Sequence, residues 1–312
     1  MYNERQANRV EIRVMSVVTS QSSGHVQQAS HALLQDIALL LADTPSGTVT
    51  LDIATDLARR FGARLTVLQI LIMPEPMIQA LALAPDESFL EIHANIRADA
   101  RVAAAALGKR LAKAGVPASV SPIEAVGEEP ERLAALATRS YDLTIMERPY
   151  GTPAAKAVAH DFFAAVLLES GRPVLVVPSI GDSTWQPRHA VVAWAGTPEC
   201  ARAVHDALPL LKECERVDVL TVDATATSLE SATESAAGIV RHLAHQGVHA
   251  NLQEIRSDGR TTAEAILAEV SRTGAQFIVA GGYGHGRRRE WVFGGTTRAL
   301  FLDAGVPVLF SH

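Results

Sequence analysis

Phe277-Ile278-Val279-Ala280-Gly281-Gly282-Tyr283-Gly284-His285-Gly286, running on through Arg287 to Glu290 and into Gly294-Gly295-Thr296-Thr297-Arg298, decides how the rest of this 312-residue chain is read. A short apolar run before the glycines and the helical pattern Ala299-Leu300-Phe301-Leu302 after them predict strand, loop and helix N-terminus in that order. In an open α/β sheet that is where phosphate is held. Glycines let the backbone turn tightly and approach a ligand, and the unpaired N–H groups opening the next helix suit an anion. The spacing Gly281-x2-Gly284-x9-Gly294 therefore reads as a phosphate cradle. A glycine-rich connection that holds nothing fits the same residues, and that alternative stays open.

Working outward, the pattern repeats along the chain. Ile37 to Leu41 is a continuous apolar run suited to a buried parallel strand, and Val49 to Phe61 has helical spacing closed by Gly62. Leu65 to Leu71 reads as a second strand, Ser88 to Ala114 as a helix, Ala118 to Ala125 as a third strand and Pro130 to Arg139 as a helix. Leu143 to Met146 and Pro173 to Val177 read as the fourth and fifth strands. The same alternation returns in Ala190–Trp194, Pro198–Lys212, Val217–Val222, Leu229–Gln246, His249–Ile255 and Thr261–Arg272. Strand alternating with helix predicts parallel sheets covered on both faces.

Two anchors give the duplication residue-level support. Gly115 before the third strand matches Gly247 (247 − 115 = 132), and Gly171-Arg172-Pro173-Val174-Leu175 matches Gly305-Val306-Pro307-Val308-Leu309 (305 − 171 = 134). The expected organisation is a disordered leader over 1–35, a first domain over 36–178, a linker over 179–187 and a second domain over 188–312. The fold class is α/β, with two tandem doubly wound five-stranded parallel-sheet domains.

Composition bounds the function. Aromatics make up only 5%, which argues against capture of single-stranded nucleic acid by stacking. A net charge of −6 argues against a general nucleic-acid or anionic-membrane surface, and no uncharged apolar stretch reaches the length of a membrane span. The two cysteines, Cys200 and Cys214, would stand about 21 Å apart on one helix, beyond disulfide reach, so a reducing cytoplasm fits.

The second half resembles a universal stress protein domain, and the whole chain resembles the tandem two-domain members of that family. The resemblance rests on Gly281, Gly284 and Gly294, the Gly-x-Tyr-Gly-His opening, Arg289-Glu290, and the terminal Gly-x-Pro-Val-Leu strand. It implies an adenine nucleotide alpha hydrolase-like sheet of order 3-2-1-4-5, with ATP or another adenine nucleotide at the switch point between the first and fourth strands. Gly281, Gly282, Gly284, His285, Gly286, Gly294, Gly295, Thr296 and Thr297 would then hold the phosphates. Ala193, Trp194, Ala195, Thr197, Val222 and Asp223 would line the adenosine.

The departures from that family are informative. Gly295 stands where nucleotide-binding members place Ser or Thr, and Ala195 stands where they carry an acid for the nucleoside. In the first half Asp43 supplies an acid, but Glu147-Arg148-Pro149-Tyr150-Gly151-Thr152-Pro153 has no glycine pair, two prolines without N–H groups, and a carboxylate that repels phosphate. The first domain is thus expected to be a packing partner without nucleotide. A site shared between Asp43 and the glycine loop of the other half is a geometric alternative.

No metal site is evident, because His242, His245 and His249 lack further ligands nearby in sequence. Nor is there a Ser-His-Asp order or a Walker lysine. The expected function is that of a non-catalytic stress-response protein. Two rivals stand beside it: a nucleotide-free scaffold that forms homodimers, or an intramolecular domain pair, through Val174–Val177 and Val308–Phe310, and a slow ATP hydrolase.

Overall fold

A computed structural model describes residues 34–42, 48–74, 87–179, 185–223, 229–284 and 295–312. The first half runs β1 (Asp36–Ala42), α1 (Thr48–Phe61), β2 (Arg64–Met73), α2 (Glu87–Ala114), β3 (Ala118–Val126), α3 (Pro130–Thr138), β4 (Leu143–Glu147), α4 (Pro153–Glu169) and β5 (Val174–Val177). The second runs β6 (His189–Ala193), α5 (Pro198–Leu211), β7 (Arg216–Val222), α6 (Leu229–His245), β8 (Ala250–Ile255), α7 (Thr262–Thr273), β9 (Phe277–Gly281), α8 (Gly295–Asp303) and β10 (Val308–Ser311).

These elements follow from local chemistry. Ile37 to Leu41 are all buried, as a strand covered on both faces requires. Gly115 and Gly247, the first pair of repeat anchors, both take positive φ, at 70° and 82°, where a helix turns into the third strand of its unit. Leu34 and Gln35, placed in the leader by sequence, are tied to the sheet: Leu34 is buried, and the Gln35 carbonyl accepts from Arg64 N at 2.7 Å.

One element was missed. The sequence reading passed from the fourth strand straight to the fifth, and took Pro153 as a loop residue that removes a donor. Instead Thr152 caps α4, its hydroxyl accepting from Ala155 N at 3.2 Å, and Pro153 begins the helix, where its absent N–H costs nothing.

The strands form one sheet in the order β3-β2-β1-β4-β5-β10-β9-β6-β7-β8. Each half has the order 3-2-1-4-5 with parallel pairing, as in tandem doubly wound units. The halves meet antiparallel, Val308 opposite Val176, Leu309 opposite Leu175 and Phe310 opposite Val174. Of the two pairings expected, homodimer or intramolecular domain pair, these strands make the intramolecular one, and with both their edges used the homodimer through them is corrected. The site shared between the halves is corrected as well. The antiparallel junction also turns the carboxyl ends of β1–β5 and of β6–β10 toward opposite edges of the sheet, so the end of β1 cannot share a site with the loop after β9. Asp43 itself lies outside the described residues.

The hydrophobic cores run through the junction. On one face Leu57, Leu175, Val204, Phe277 and Leu309 belong to a single cluster; on the other, Phe162, Phe163, Val176, Phe301, Val308 and Phe310 do. Phe163 of α4 stacks on Phe301 of α8 at 4.4 Å between centroids and meets Phe310 edge-on at 5.0 Å. Trp185, ahead of β6, donates from its indole to Gln276 O at 3.0 Å, while its own carbonyl accepts from Arg60 of α1 at 3.2 Å.

Candidate functional site

β6 and β9 lie side by side, with Ala193 opposite Ala280, and the chains leaving them diverge, one into α5 and the other into the glycine loop. That is the switch point of the second unit. His285, Gly286 and Gly294 lie outside the described residues. The remaining predicted residues divide by what their groups already do.

Gly281 is set by close packing. A Cβ there would lie 2.7 Å from Cys200 N and 2.8 Å from the Glu199 carbonyl carbon, so only glycine lets the first turn of α5 sit against the end of β9. Gly282 is set by its neighbours as well, since a Cβ would meet Leu167 Cδ2 of α4 at 2.5 Å. Its N–H donates to Ser311 O at 2.8 Å, and its carbonyl accepts from His312 Nδ1 at 2.9 Å. The first unit makes the same backbone bond without glycine, Arg148 N to Val177 O at 2.7 Å, at positions 134 residues earlier (282 − 148 = 134; 311 − 177 = 134). The Gly282 amide is therefore part of the scaffold. Its assignment to phosphate is corrected.

Tyr283 turns away from the site. It has φ of 54°, its N–H donates to Thr297 Oγ1 at 3.1 Å, and its hydroxyl stands 3.2 Å from His160 Nε2 of the first unit. Burial pushes its phenol well above the ordinary range. Thr297 is buried, and its oxygen accepts this bond and so ties α8 to the loop, while its O–H remains a donor. Gly295 and Thr296, at the start of α8, are more accessible, and among the described residues nothing lies within 4 Å of a Cβ at Gly295.

Thr197 caps α5, accepting from Cys200 N at 3.3 Å, ahead of Pro198 at the first helical position. Gly284 packs onto this turn: a Cβ there would lie 3.4 Å from Thr197 Oγ1 and 2.9 Å from Glu199 Oε2. Glu199 was not among the predicted residues, although an acid in the first turn of the helix after a first strand is a visible signal. Its Oε2 is buried and has no hydrogen-bond partner among the described residues.

The adenosine positions gather at the carboxyl ends of β6 and β7. The Ala193 carbonyl accepts from Cys200 Sγ at 3.6 Å. Trp194 donates from its backbone to Leu220 O at 2.8 Å and from its indole to Ser235 Oγ at 3.3 Å, while Ala195 is exposed. Val222 ends β7. Asp223, with φ of 50°, accepts from Ser257 N at 2.9 Å, and the Ser257 hydrogen bonds hold its carboxyl below the usual range. Its carboxylate thus braces a turn. In the first unit Glu147 stands at the place of Gly281 and accepts from Thr50 Oγ1 at 3.2 Å.

Among the described residues no group of three or more His, Cys, Asp or Glu side chains is placed to hold a metal ion, and no helix is long and apolar enough to cross a membrane. His242, weighed as a ligand with His245 and His249, packs against His205 of α5 at 4.9 Å between rings.

The sequence model of the universal stress protein family matches residues 187–312. Residues 187–312 belong to the universal stress protein family. That span contains β6 to β10 and the switch point just described. Over most of its length the chain shares its fold with solved structures of similar size. A universal stress protein from Archaeoglobus fulgidus DSM 4304 superposes with a TM-score of 0.67 at 16% identity, over 88% of this chain and 95% of that one. A functionally unknown protein from Pseudomonas aeruginosa PAO1 gives 0.57 at 14% identity, over 90% and 93%. At such identities the likeness shows the fold alone. It extends across the first half, where the family model does not reach. No curated protein matches the sequence.

Proposed function

We propose that the second universal stress domain, taken as residues 188–312, binds an adenine nucleotide without turning it over. The first domain, taken as 36–178 and joined by the linker 179–187, supports it in a cytoplasmic stress-response protein. One observation carries the reading. Thr297 of α8 bonds Tyr283 N on one side of the glycine loop, while Thr197 of α5 packs against Gly284 on the other, so two helix N-termini converge on one loop at the switch point. Among the described residues, the donors available for phosphate are the amides of Gly284, Gly295 and Thr296 with the hydroxyls of Thr296 and Thr297. His285, Gly286 and Gly294 complete the proposed set. Ala193, Trp194, Ala195, Thr197 and Val222 would bound the base and sugar, with Asp223, whose Oδ1 accepts from Ser257 N, beside them.

Ala195, exposed where an acid would grip the nucleoside, favours a second reading in which the domain holds no nucleotide and acts through protein contacts. The two readings separate in a single preparation. Nucleotide released by heating freshly purified protein, with calorimetric titration of the same sample, should show about one adenine nucleotide per chain and no phosphate release above background. Gly284→Asp, checked for folding by circular dichroism, should abolish binding by adding a second carboxylate beside Glu199. Empty protein without heat at millimolar ligand would leave the protein-contact reading. Turnover that disappears in Gly284→Asp would replace both with a slow hydrolase.

A further inference from the structure

We propose that Glu199 sets the charge preference of this site, admitting adenine ligands with few phosphates and disfavouring ATP unless a cation screens it. The inference rests on the nucleotide-binding reading and adds the class of ligand. Glu199 lies in the first turn of α5, and the negative charge that a helix N-terminus attracts is already supplied by its carboxylate, with the Cys200 amide satisfied by Thr197. A phosphate entering there would displace a resident anion instead of filling a vacant cradle.

The position of the carboxylate makes the competition direct. Glu199 Oε2 is buried and without a hydrogen-bond partner among the described residues, an arrangement that costs free energy and that a first-turn glutamate facing water would avoid. It is held against Gly284, where a Cβ would come within 2.9 Å of it and within 3.4 Å of the Thr197 hydroxyl oxygen. Carboxylate, hydroxyl and glycine backbone thus border the same small space at the end of β9. Like charges a few ångströms apart in a partly dry site repel strongly, and each phosphate adds to the repulsion. The first unit also carries an acid at its switch point, Glu147, bonded to Thr50 in the first turn of α1.

The test is calorimetric titration of the full chain with adenosine, AMP, ADP and ATP in EDTA, so that no divalent cation shields the carboxylate. Wild type is compared with Glu199→Gln, which removes the charge at nearly constant shape, and with Glu199→Asp, which keeps it; circular dichroism and melting confirm that each variant is folded. Wild type should bind AMP at least tenfold more tightly than ATP. Glu199→Gln should strengthen ATP binding at least tenfold and level the series, and Glu199→Asp should keep the wild-type order. Equal affinity for AMP and ATP in wild type, or unchanged ATP affinity in Glu199→Gln, overturns the proposal while leaving nucleotide binding in place. Absence of heat with all four ligands in wild type and Glu199→Gln removes the nucleotide reading, and the charge preference with it.

Discussion

The imidazole Nε2 of His160, in α4 of the first unit, lies 3.2 Å from the hydroxyl of Tyr283, the residue that opens the glycine loop of the second. His160 is only 6% exposed and packs against Phe163 and Phe301, so the two halves touch through a titratable group set among aromatic rings.

This contact gives the protein a pH-dependent stability. Burial, with Arg298 adding to it and Asp161 opposing, holds the His160 imidazole below its ordinary value of about 6.5. Above that value the group is neutral folded and unfolded, and it contributes nothing. As pH falls through it, the unfolded chain takes up the proton first, and stability falls until the folded-state value is passed. Urea midpoints followed by tryptophan fluorescence should decline from pH 7 to pH 5 more steeply in wild type than in His160→Gln. A wild-type-to-variant difference that stays constant over this range would contradict the assignment.

Phe163 should be a principal anchor of the junction. It is fully buried against Phe301 and Phe310, and Phe163→Ala removes the ring contacts of α4 to both α8 and β10 of the second unit. A loss of about 3–5 kcal/mol in urea unfolding is expected. A loss below about 1 kcal/mol would mean that the helices collapse onto the space and that the stacking matters little.

The glycines of the loop should differ in their reasons for being glycine. Gly281→Ala places a methyl against the α5 backbone and should cost about 1–3 kcal/mol in nucleotide-free protein. Gly295→Ala meets no described residue within 4 Å at the first residue of α8 and should be neutral or stabilise by up to about 1 kcal/mol. Melting curves of the two variants without ligand decide this. Equal destabilisation would mean that backbone conformation, and not contact, governs both positions.

Much of this was legible in the sequence because the evidence for it is local and repeated. Buried parallel strands such as Ile37–Leu41 are continuous apolar runs, and the Gly115/Gly247 pair marks the same left-handed turn in both units. α4 was passed over because Pro149 and Pro153 read as breakers, whereas Pro153 begins the helix behind Thr152. At the site, glycine spacing located the switch point but not the use of each glycine. Gly281 answers to the α5 backbone and Gly282 to Leu167, and such packing between elements leaves no periodic trace. Glu199 was missed for a related reason: its significance lies in facing Gly284, far away in sequence.

Both thiols should be silent in the folded protein. Cys200 and Cys214 are free and buried, and burial with the neighbouring Glu213 pushes the Cys214 thiol up to about 12, so little thiolate forms near neutrality. Ellman's reagent at pH 8 should titrate neither cysteine in native protein and both in guanidinium chloride. Rapid native labelling would place at least one of them at the surface.

The antiparallel register of β5 and β10 sets Leu175 opposite Leu309, and these two are also each other's counterparts in the repeat (309 − 175 = 134). A residue facing its own equivalent marks a rotation axis, so one polypeptide encloses the pseudo-twofold symmetry of a two-subunit assembly. Separate subunits would drift apart on dilution; these two are held together by the chain at a fixed, high effective concentration. Association of the halves is thus built into the chain, and Glu147 stands in one of them where the other has Gly281 while the pairing of β5 with β10 is kept.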